Sequence, residues 1–329
     1  MIQIALCTDD NYIMPTGVLI NSIETTNKNE SIKYNIVSEH LTEESKDKLK
    51  NCLNNPNSSI EFYFINKDML KDCPVRIGDH ITLATYYRIL FPTIFSEEIS
   101  KILYLDGDML CVDSITDLWN EDITNYSSGV VIDIYANDIR RQNRLDLPLD
   151  YEYFNSGMML INLDYWRKND IQNQTLKYIS ENQEACIAHD QDGLNKTLCG
   201  TTKILNPKYN LQLDFWQNPK KLLVQKKHFN AIEEATKNPC ILHFTGSEKP
   251  WHKECLYPLK NLWVKFLNLT QWKGLKLTNK YKGKRLLKYH LRNFLEKIGF
   301  VECQNPYKNI DVKDLEDIIQ KKFMNEIAN

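Results

Sequence analysis

The stretch Lys101–Asp113, KILYLDGDMLCVD, constrains this chain more than any other. Its apolar run Ile102–Leu105 is short, continuous and flanked by polar residues, which is the pattern of a buried strand. The run breaks at Asp106-Gly107-Asp108 and resumes as Met109-Leu110-Cys111-Val112. Carboxylates at the end of a buried strand must be paired, solvated or metal-bound, because an isolated buried charge is too costly. In extended backbone, residues two apart face the same side, so Asp106 and Asp108 can converge on one ligand. Gly107 between them has no side chain to obstruct that approach. Two hard oxygen donors are what Mg²⁺ or Mn²⁺ bridging a diphosphate requires. The plainer alternative is a tight Asp-Gly turn with two solvated acids, and a D-x-D tripeptide taken alone favours it.

The surrounding chain alternates strand and helix signals. Ile2–Thr8 reads as a first buried strand ended by Asp9-Asp10-Asn11, and polar residues at such an end lie where ligands bind in open α/β sheets. Tyr12–Thr26 carries Val18, Leu19 and Ile23 at helical spacing. Lys33–Val37 and Ser59–Ile65 read as further strands, with a polar helix from Thr42 between them. Thr82–Phe91 reads as a buried helix halted by Pro92. Strands follow at Gly129–Ile134, Tyr153–Leu163 and Ile241–Phe244, and His189-Asp190-Gln191-Asp192 heads a helix. The alternation predicts an α/β fold with a mostly parallel, doubly wound sheet.

Length and composition narrow the class. The 329 residues are long for one domain and short for two. A hydrophobic content of 42% supports a sizeable core. The net charge of −2 gives no nucleic-acid footprint. Seventeen Tyr and six Trp are more than packing usually asks for, and carbohydrate sites use such rings. Nine scattered Cys with no C-x-x-C pair fit reduced thiols in a cytosolic compartment. No basic, apolar signal segment opens the chain and no apolar run reaches the ~20 residues that span a bilayer. A cytoplasmic protein, or one peripheral on the cytosolic membrane face, is expected. After about Leu267 the character changes: between Trp272 and Lys297, Lys and Arg crowd together with Trp, Tyr, Phe and Leu, and only Glu296 opposes them.

In order along the chain, the motifs TDDNY, TYYRILFP, YLDGDML, YFNSGMMLINLDYWR, HDQDGLN, LNPKYN and HFTGSEKPWH resemble glycosyltransferase family 8. The likeness is greatest to the bacterial lipopolysaccharide and capsule α-glucosyl- and α-galactosyltransferases, and it covers roughly Met1–Trp251. It implies a single Rossmann-like, GT-A-type domain over residues 1–267 that binds UDP-sugar and acceptor, followed by a small helical basic extension over 268–329. It implies a retaining transfer of glucose or galactose from UDP-hexose to a surface-glycan or lipid-linked saccharide, giving an α linkage.

By the same resemblance, Asp9, Asn11 and Tyr12 match positions that hold uridine, and Arg88 matches one that reaches the diphosphate or sugar. Asp106, Asp108 and His243 match the Mn²⁺ ligands, with Mg²⁺ as the alternative ion, and Gly107 lies between the two acids. Gly246 and Lys249 match phosphate contacts. Asp133, Asn155, Asp190 and Gln191 match sugar-facing catalytic positions, with Gln191 beside the β face of the anomeric carbon. His80 and Ile81 match acceptor-side positions. Each residue alone has a plainer structural reading, such as a satisfied core histidine for His243 or a turn residue for Asn155. Two other functions stay open at this level: a nucleotide-sugar or glycan-binding protein without turnover, and a metal-dependent phosphohydrolase. Contact of the basic extension with an anionic membrane is a further expectation.

Overall fold

The computed structural model describes residues 1–74, 83–217, 222–302 and 305–323. Strand β1 (Ile2–Cys7) is buried along nearly all its length. It pairs in parallel with β2 (Ile32–Ser38) on one side and β4 (Lys101–Leu105) on the other. Strands covered on both faces are mostly apolar, and the exception in β2, the fully buried Asn35, donates to Gln3 and to the Ile4 carbonyl. β3 (Ser59–Phe64) extends the sheet beyond β2, also parallel. Beyond β4, β7 (Phe154–Asn162) lies antiparallel between β4 and β6 (Ser128–Ile132), and β8 (Thr202–Ile204) pairs in parallel with β6. The order is β3-β2-β1-β4-β7-β6-β8, an α/β arrangement with the mostly parallel sheet expected from the sequence.

A second, smaller sheet has the order β5-β10-β9, with β5 (Met109–Cys111), β9 (Leu211–Gln212) and β10 (Ile241–His243). The chain passes from the large sheet to the small one at Asp106-Gly107-Asp108. The two acids therefore sit at the seam between sheets. They converge through a turn, closed by Met109 N–H donating to the Asp106 carbonyl at 3.3 Å, and not along an extended strand. The tight turn and the convergence of the two acids, opposed as alternatives in the sequence, are one structure.

The helix Ile13–Thr26 is buried at every residue but Met14. Its polar side chains are satisfied locally, as where Ser22 Oγ donates to Leu19 O at 2.7 Å and Thr25 Oγ1 to Asn21 O at 2.8 Å. Glu24 is the exception in reach. Its carboxylate accepts from Tyr34 Oη at 2.9 Å, Ser58 Oγ at 2.6 Å and the backbone N–H groups of Asn54 and Asn55. A buried carboxylate is tolerable only with such a full set of partners.

One expected helix differs. Leu83–Leu90 winds as a 3₁₀ helix, and Pro92 lies in the first turn of a separate short α-helix, Phe91–Ile94. Proline has no N–H to continue a helix, but at a first turn that N–H needs no partner, so it starts the new helix instead of stopping the old one. Thr82, His80 and Ile81 lie outside the described residues.

The chain divides into two compact units, Met1–His243 and Phe244–Asn329. In the second unit, the helix Lys260–Leu267 buries Leu262, Trp263, Phe266 and Leu267. Lys265 Nζ ties it to the helix Lys313–Phe323 through Glu316 at 2.9 Å and Gln320 at 2.7 Å. The helix Gly283–Lys297 buries no residue. It starts at Gly283, whose φ of +51° suits glycine. The boundary at 267/268 that the resemblance implies lies within the second unit. Among the described residues, no helix is long and apolar enough to cross a membrane.

Candidate active site

Three side chains meet at the seam between the sheets. His243 ends β10, and its Nε2 lies 3.3 Å from Asp108 Oδ1 and 3.9 Å from Asp106 Oδ2. One ligand atom from each of the three lies within 4.8 Å of the others, so one cation can be shared. Two carboxylates and an imidazole are a donor set suited to Mn²⁺. The surrounding backbone is shaped to leave that space open. A Cβ on Gly157 of β7 would lie 2.3 Å from His243 Cε1 and 2.8 Å from Asp106 Oδ2. Only glycine there lets the imidazole and the carboxylate face one another. A Cβ on Gly107 would lie 2.9 Å from Thr16 Oγ1 and 3.1 Å from the Tyr12 ring. The residues present fit a divalent cation.

Arg88 braces this centre from behind. Its Nη2 lies 3.2 Å from Asp106 Oδ1, its Nε 3.1 Å from Asp190 Oδ2, and its Nη1 donates to the Ser156 carbonyl. The guanidinium also lies over the Tyr104 ring, 4.2 Å from its centroid. Tyr104 Oη in turn donates to Asp106 Oδ1. Burial opposes the charge on Arg88, but Asp106 and Asp190 outweigh it and raise its pKa. Burial pushes the Asp190 carboxyl up, against the pull of Arg88 and of the Thr85 hydroxyl, which donates to Asp190 at 2.8 Å. Arg88 therefore fixes one carboxylate of the triad and one sugar-facing candidate together.

The sugar-facing candidates converge on Asp133, just beyond β6. Asn155 Nδ2 and Gln191 Nε2 each lie 3.4 Å from Asp133 Oδ2, and Arg141 Nη1 lies 3.2 Å from Oδ1. Gln191 Oε1 accepts from Ser156 N–H at 3.0 Å. Asp190 and Gln191 open the helix Asp190–Thr197. Asp192 holds the preceding turn: fully buried, it accepts from Ala188 N–H at 2.6 Å, Arg144 at 2.8 Å and Tyr153 Oη at 2.7 Å. His189 in that turn has φ +53°, a strained conformation for a non-glycine residue that persists only when its surroundings hold it.

The loop after β1 is shaped by Asp9, whose Oδ1 accepts from Asn11 N–H at 2.8 Å and whose carbonyl accepts from Tyr12 N–H at 2.9 Å. In the second unit, Gly246 has φ +71° and Lys249 Nζ donates to the Phe244 carbonyl at 2.8 Å. The structure thus brings Arg88, Asp106, Asp108, Asp133, Asn155, Asp190, Gln191 and His243 into one connected set. It adds Tyr104, Thr85, Gly157 and Asn210, to which the sequence assigned no role. Tyr104 had a signal, being two residues from Asp106 and on the same side of the strand as it ends. Gly157 and Asn210 sit inside the YFNSGMM and LNPKYN motifs, but nothing in their spacing shows what they face.

The chain matches the model of the family described as glycosyl transferase family 8 over residues 3–255. It belongs to glycosyltransferase family 8. General stress protein A of Bacillus subtilis is 30% identical over 278 residues, spanning 83% of this chain and 95% of that protein. The lipopolysaccharide 1,2-glucosyltransferase of Escherichia coli K12 is 27% identical over 273 residues, spanning 83% and 79%. Among solved structures, the galactosyltransferase LgtC in complex with donor and acceptor sugar analogues superposes with a TM-score of 0.76 at 22% identity, covering 87% of this chain and 99% of that one. That likeness establishes the GT-A type of fold. As a family 8 member the chain is a glycosyltransferase, and the Asp106–Asp108–His243 centre stands at the seam of its two sheets.

Proposed function

We propose that this family 8 enzyme transfers glucose or galactose from UDP-hexose to a saccharide acceptor of a lipopolysaccharide or other surface glycan, with retention and an α-linked product. The observation that carries the reading is the meeting of Asp106, Asp108 and His243 within 4.8 Å beside a glycine-cleared space. The acceptor class follows from relatives named as lipopolysaccharide glucosyl- and galactosyltransferases. Asp106, Asp108 and His243 would hold Mn²⁺, with Mg²⁺ as the alternative. A bound divalent ion supplies charge stabilisation for the departing UDP diphosphate.

The chain's own groups do the rest. Asp9, Asn11 and Tyr12 hold the uridine. Gly246 and Lys249 are assigned to the phosphates by their match to the family motif alone. Asp133, Asn155 and Asp190 grip sugar hydroxyls, and Arg88 holds Asp106 and Asp190 in place. Gln191 stands beside the anomeric carbon. An amide is a poor nucleophile, and its Oε1 already accepts from Ser156 N–H. No covalent sugar–enzyme bond is therefore assigned to it: departure and attack take place on one face of an oxocarbenium-like centre.

The exposed basic helix Gly283–Lys297 is assigned to docking on an anionic membrane surface, where a lipid-linked acceptor would be met. UDP release from UDP-glucose and UDP-galactose, with Mn²⁺ and with EDTA, tests the central reading. Mn²⁺-dependent release from one donor supports it; release that ignores EDTA, or none from either donor in the presence of acceptor glycans, overturns it.

A further inference from the structure

Asn210 is fully buried, and both ends of its amide are engaged. It closes the 3₁₀ turn Pro207–Asn210. Gln212, two residues on, anchors this segment where β6 ends, donating to Ile132 O at 2.8 Å and accepting from Ile134 N–H at 3.1 Å. One end of the Asn210 amide lies 2.9 Å from His243 Nδ1 and the other 2.9 Å from the Asn155 amide.

Which end of an amide is oxygen must be argued from its partners. Here the argument starts from a group whose chemistry is fixed. The backbone N–H of Gly157 only donates, and it lies 3.1 Å from one terminal atom of Asn155, which is therefore the oxygen. The same oxygen faces Asn210, so Asn210 presents its NH₂ there. Its own oxygen then faces His243 Nδ1, and that contact requires a hydrogen on Nδ1. A ring that binds a cation and keeps its hydrogen on Nδ1 offers the lone pair of Nε2, the nitrogen that faces Asp106 and Asp108.

From this chain of partners we propose that Asn210 is a positioning residue that holds His243 in the Nδ1–H tautomer, making Nε2 the cation-binding atom, and ties that ring through Asn155 to Asp133. The proposal rests on the reading of Asp106, Asp108 and His243 as a divalent-cation site. Partners behind a ligating histidine commonly fix its tautomer and raise its basicity. What is specific to this chain is the route: a backbone N–H on β7 sets the tautomer of a ring on β10 through two side-chain amides. The free end of Asn155 points its Nδ2 at Asp133 Oδ2, so the route continues to the sugar-facing carboxylates.

The test begins with the wild-type protein carrying ¹⁵N-histidine and loaded with Cd²⁺, a diamagnetic stand-in for Mn²⁺. Two-bond ¹H–¹⁵N correlation spectra should show His243 with its proton on Nδ1 and with Nε2 on the cation. A ring that keeps its proton on Nε2, or that binds the cation through Nδ1, overturns the proposal, whatever the enzyme's activity. Asn210→Leu removes the acceptor, and Mn²⁺ binding followed by electron paramagnetic resonance should weaken by about 10- to 100-fold. Asn210→Asp still accepts from Nδ1–H but sets an oxygen against the Asn155 oxygen. It should bind Mn²⁺ nearly as well as wild type while kcat falls. Unchanged Mn²⁺ affinity in folded Asn210→Leu overturns the proposal, and if that variant does not fold, the wild-type spectrum and Asn210→Asp decide. A wild-type protein with the expected tautomer and Mn²⁺ binding but no hexose transfer would overturn the transferase reading and leave the role of Asn210 supported.

Discussion

The Arg88 guanidinium lies 3.1 Å from the Asp190 carboxylate, and both side chains are buried. Because Arg88 also holds Asp106 at 3.2 Å, removing it strands two carboxylates at once. Breaking a buried pair by deleting one partner costs about 3–5 kcal/mol, so Arg88→Ala should lose stability on that scale. Arg88→Lys keeps the charge but not the planar fork, and should fall between the two. Urea unfolding midpoints measure both. A loss under about 1 kcal/mol for Arg88→Ala, the scale of a surface ion pair, would mean that the brace is slack.

Asp106→Ala and Asp108→Ala should each give a folded protein whose transfer rate is lower by at least about 100-fold, the scale of one lost electrostatic partner at a reacting centre. The two acids serve one shared cation, so the double variant should be little worse than either single one. Steady-state rates for the three variants, with a wild-type control in EDTA, decide the matter. Near-normal turnover in EDTA would sink the assignment.

Gly157→Ala puts a Cβ 2.3 Å from His243 Cε1. The ring or the strand must shift, and overpacking of this kind costs about 1–3 kcal/mol. Mn²⁺ affinity should drop with the circular dichroism spectrum unchanged. Wild-type affinity in this variant would show that the space beside His243 is not what admits the ion.

Much of this arrangement could be read from the chain before its structure, and the reason lies in which signals are local. β1, β4 and the later part of β7 are buried on both faces and mostly apolar, so each announces itself in the sequence. Asp106 stands out at the end of such a run, whereas Asp133 and His243 take their roles only from the family resemblance, because each alone reads as a structural residue. The apolar spacing of Thr82–Phe91 predicts a helix but does not separate a 3₁₀ winding from an α-helical one over so short a stretch. Pro92 reads as a stop because its sequence neighbours do not say where the next helix starts. Gly157 and Asn210 were silent for a deeper reason: each matters for what a distant strand places against it.

The anomeric outcome is a separate test. With a UDP-α-hexose donor, the proton on the newly linked anomeric carbon should show the small coupling of an α linkage in the NMR spectrum of the product. A large, β-type coupling would remove the single-face mechanism while leaving the cation site intact.

The basic segment supplies the last prediction. In the helix Gly283–Lys297 no side chain is buried, and Leu287 and Phe294 are 70% and 59% exposed. Leu287, Leu291, Phe294 and Ile298 follow the i, i+4, i+7, i+11 spacing of one helical face, and all four are exposed. Lys284, Arg285, Lys288 and Arg292 accompany that face, and Arg292 pairs with Glu296 at 2.9 Å. An apolar stripe flanked by cations matches an anionic lipid surface. Each basic residue near such a surface contributes about 1 kcal/mol, and inserted apolar side chains add to it. Full-length protein should therefore float with vesicles containing anionic lipid at low salt, and lose that association as salt screens the charges. A chain ending at Thr270 should float less, as should the full-length variant Leu287→Ser/Phe294→Ser, which keeps every cation. Equal flotation of the double variant and wild type would assign the binding to charge alone. No flotation of the full-length protein at low salt would leave this helix without a membrane role.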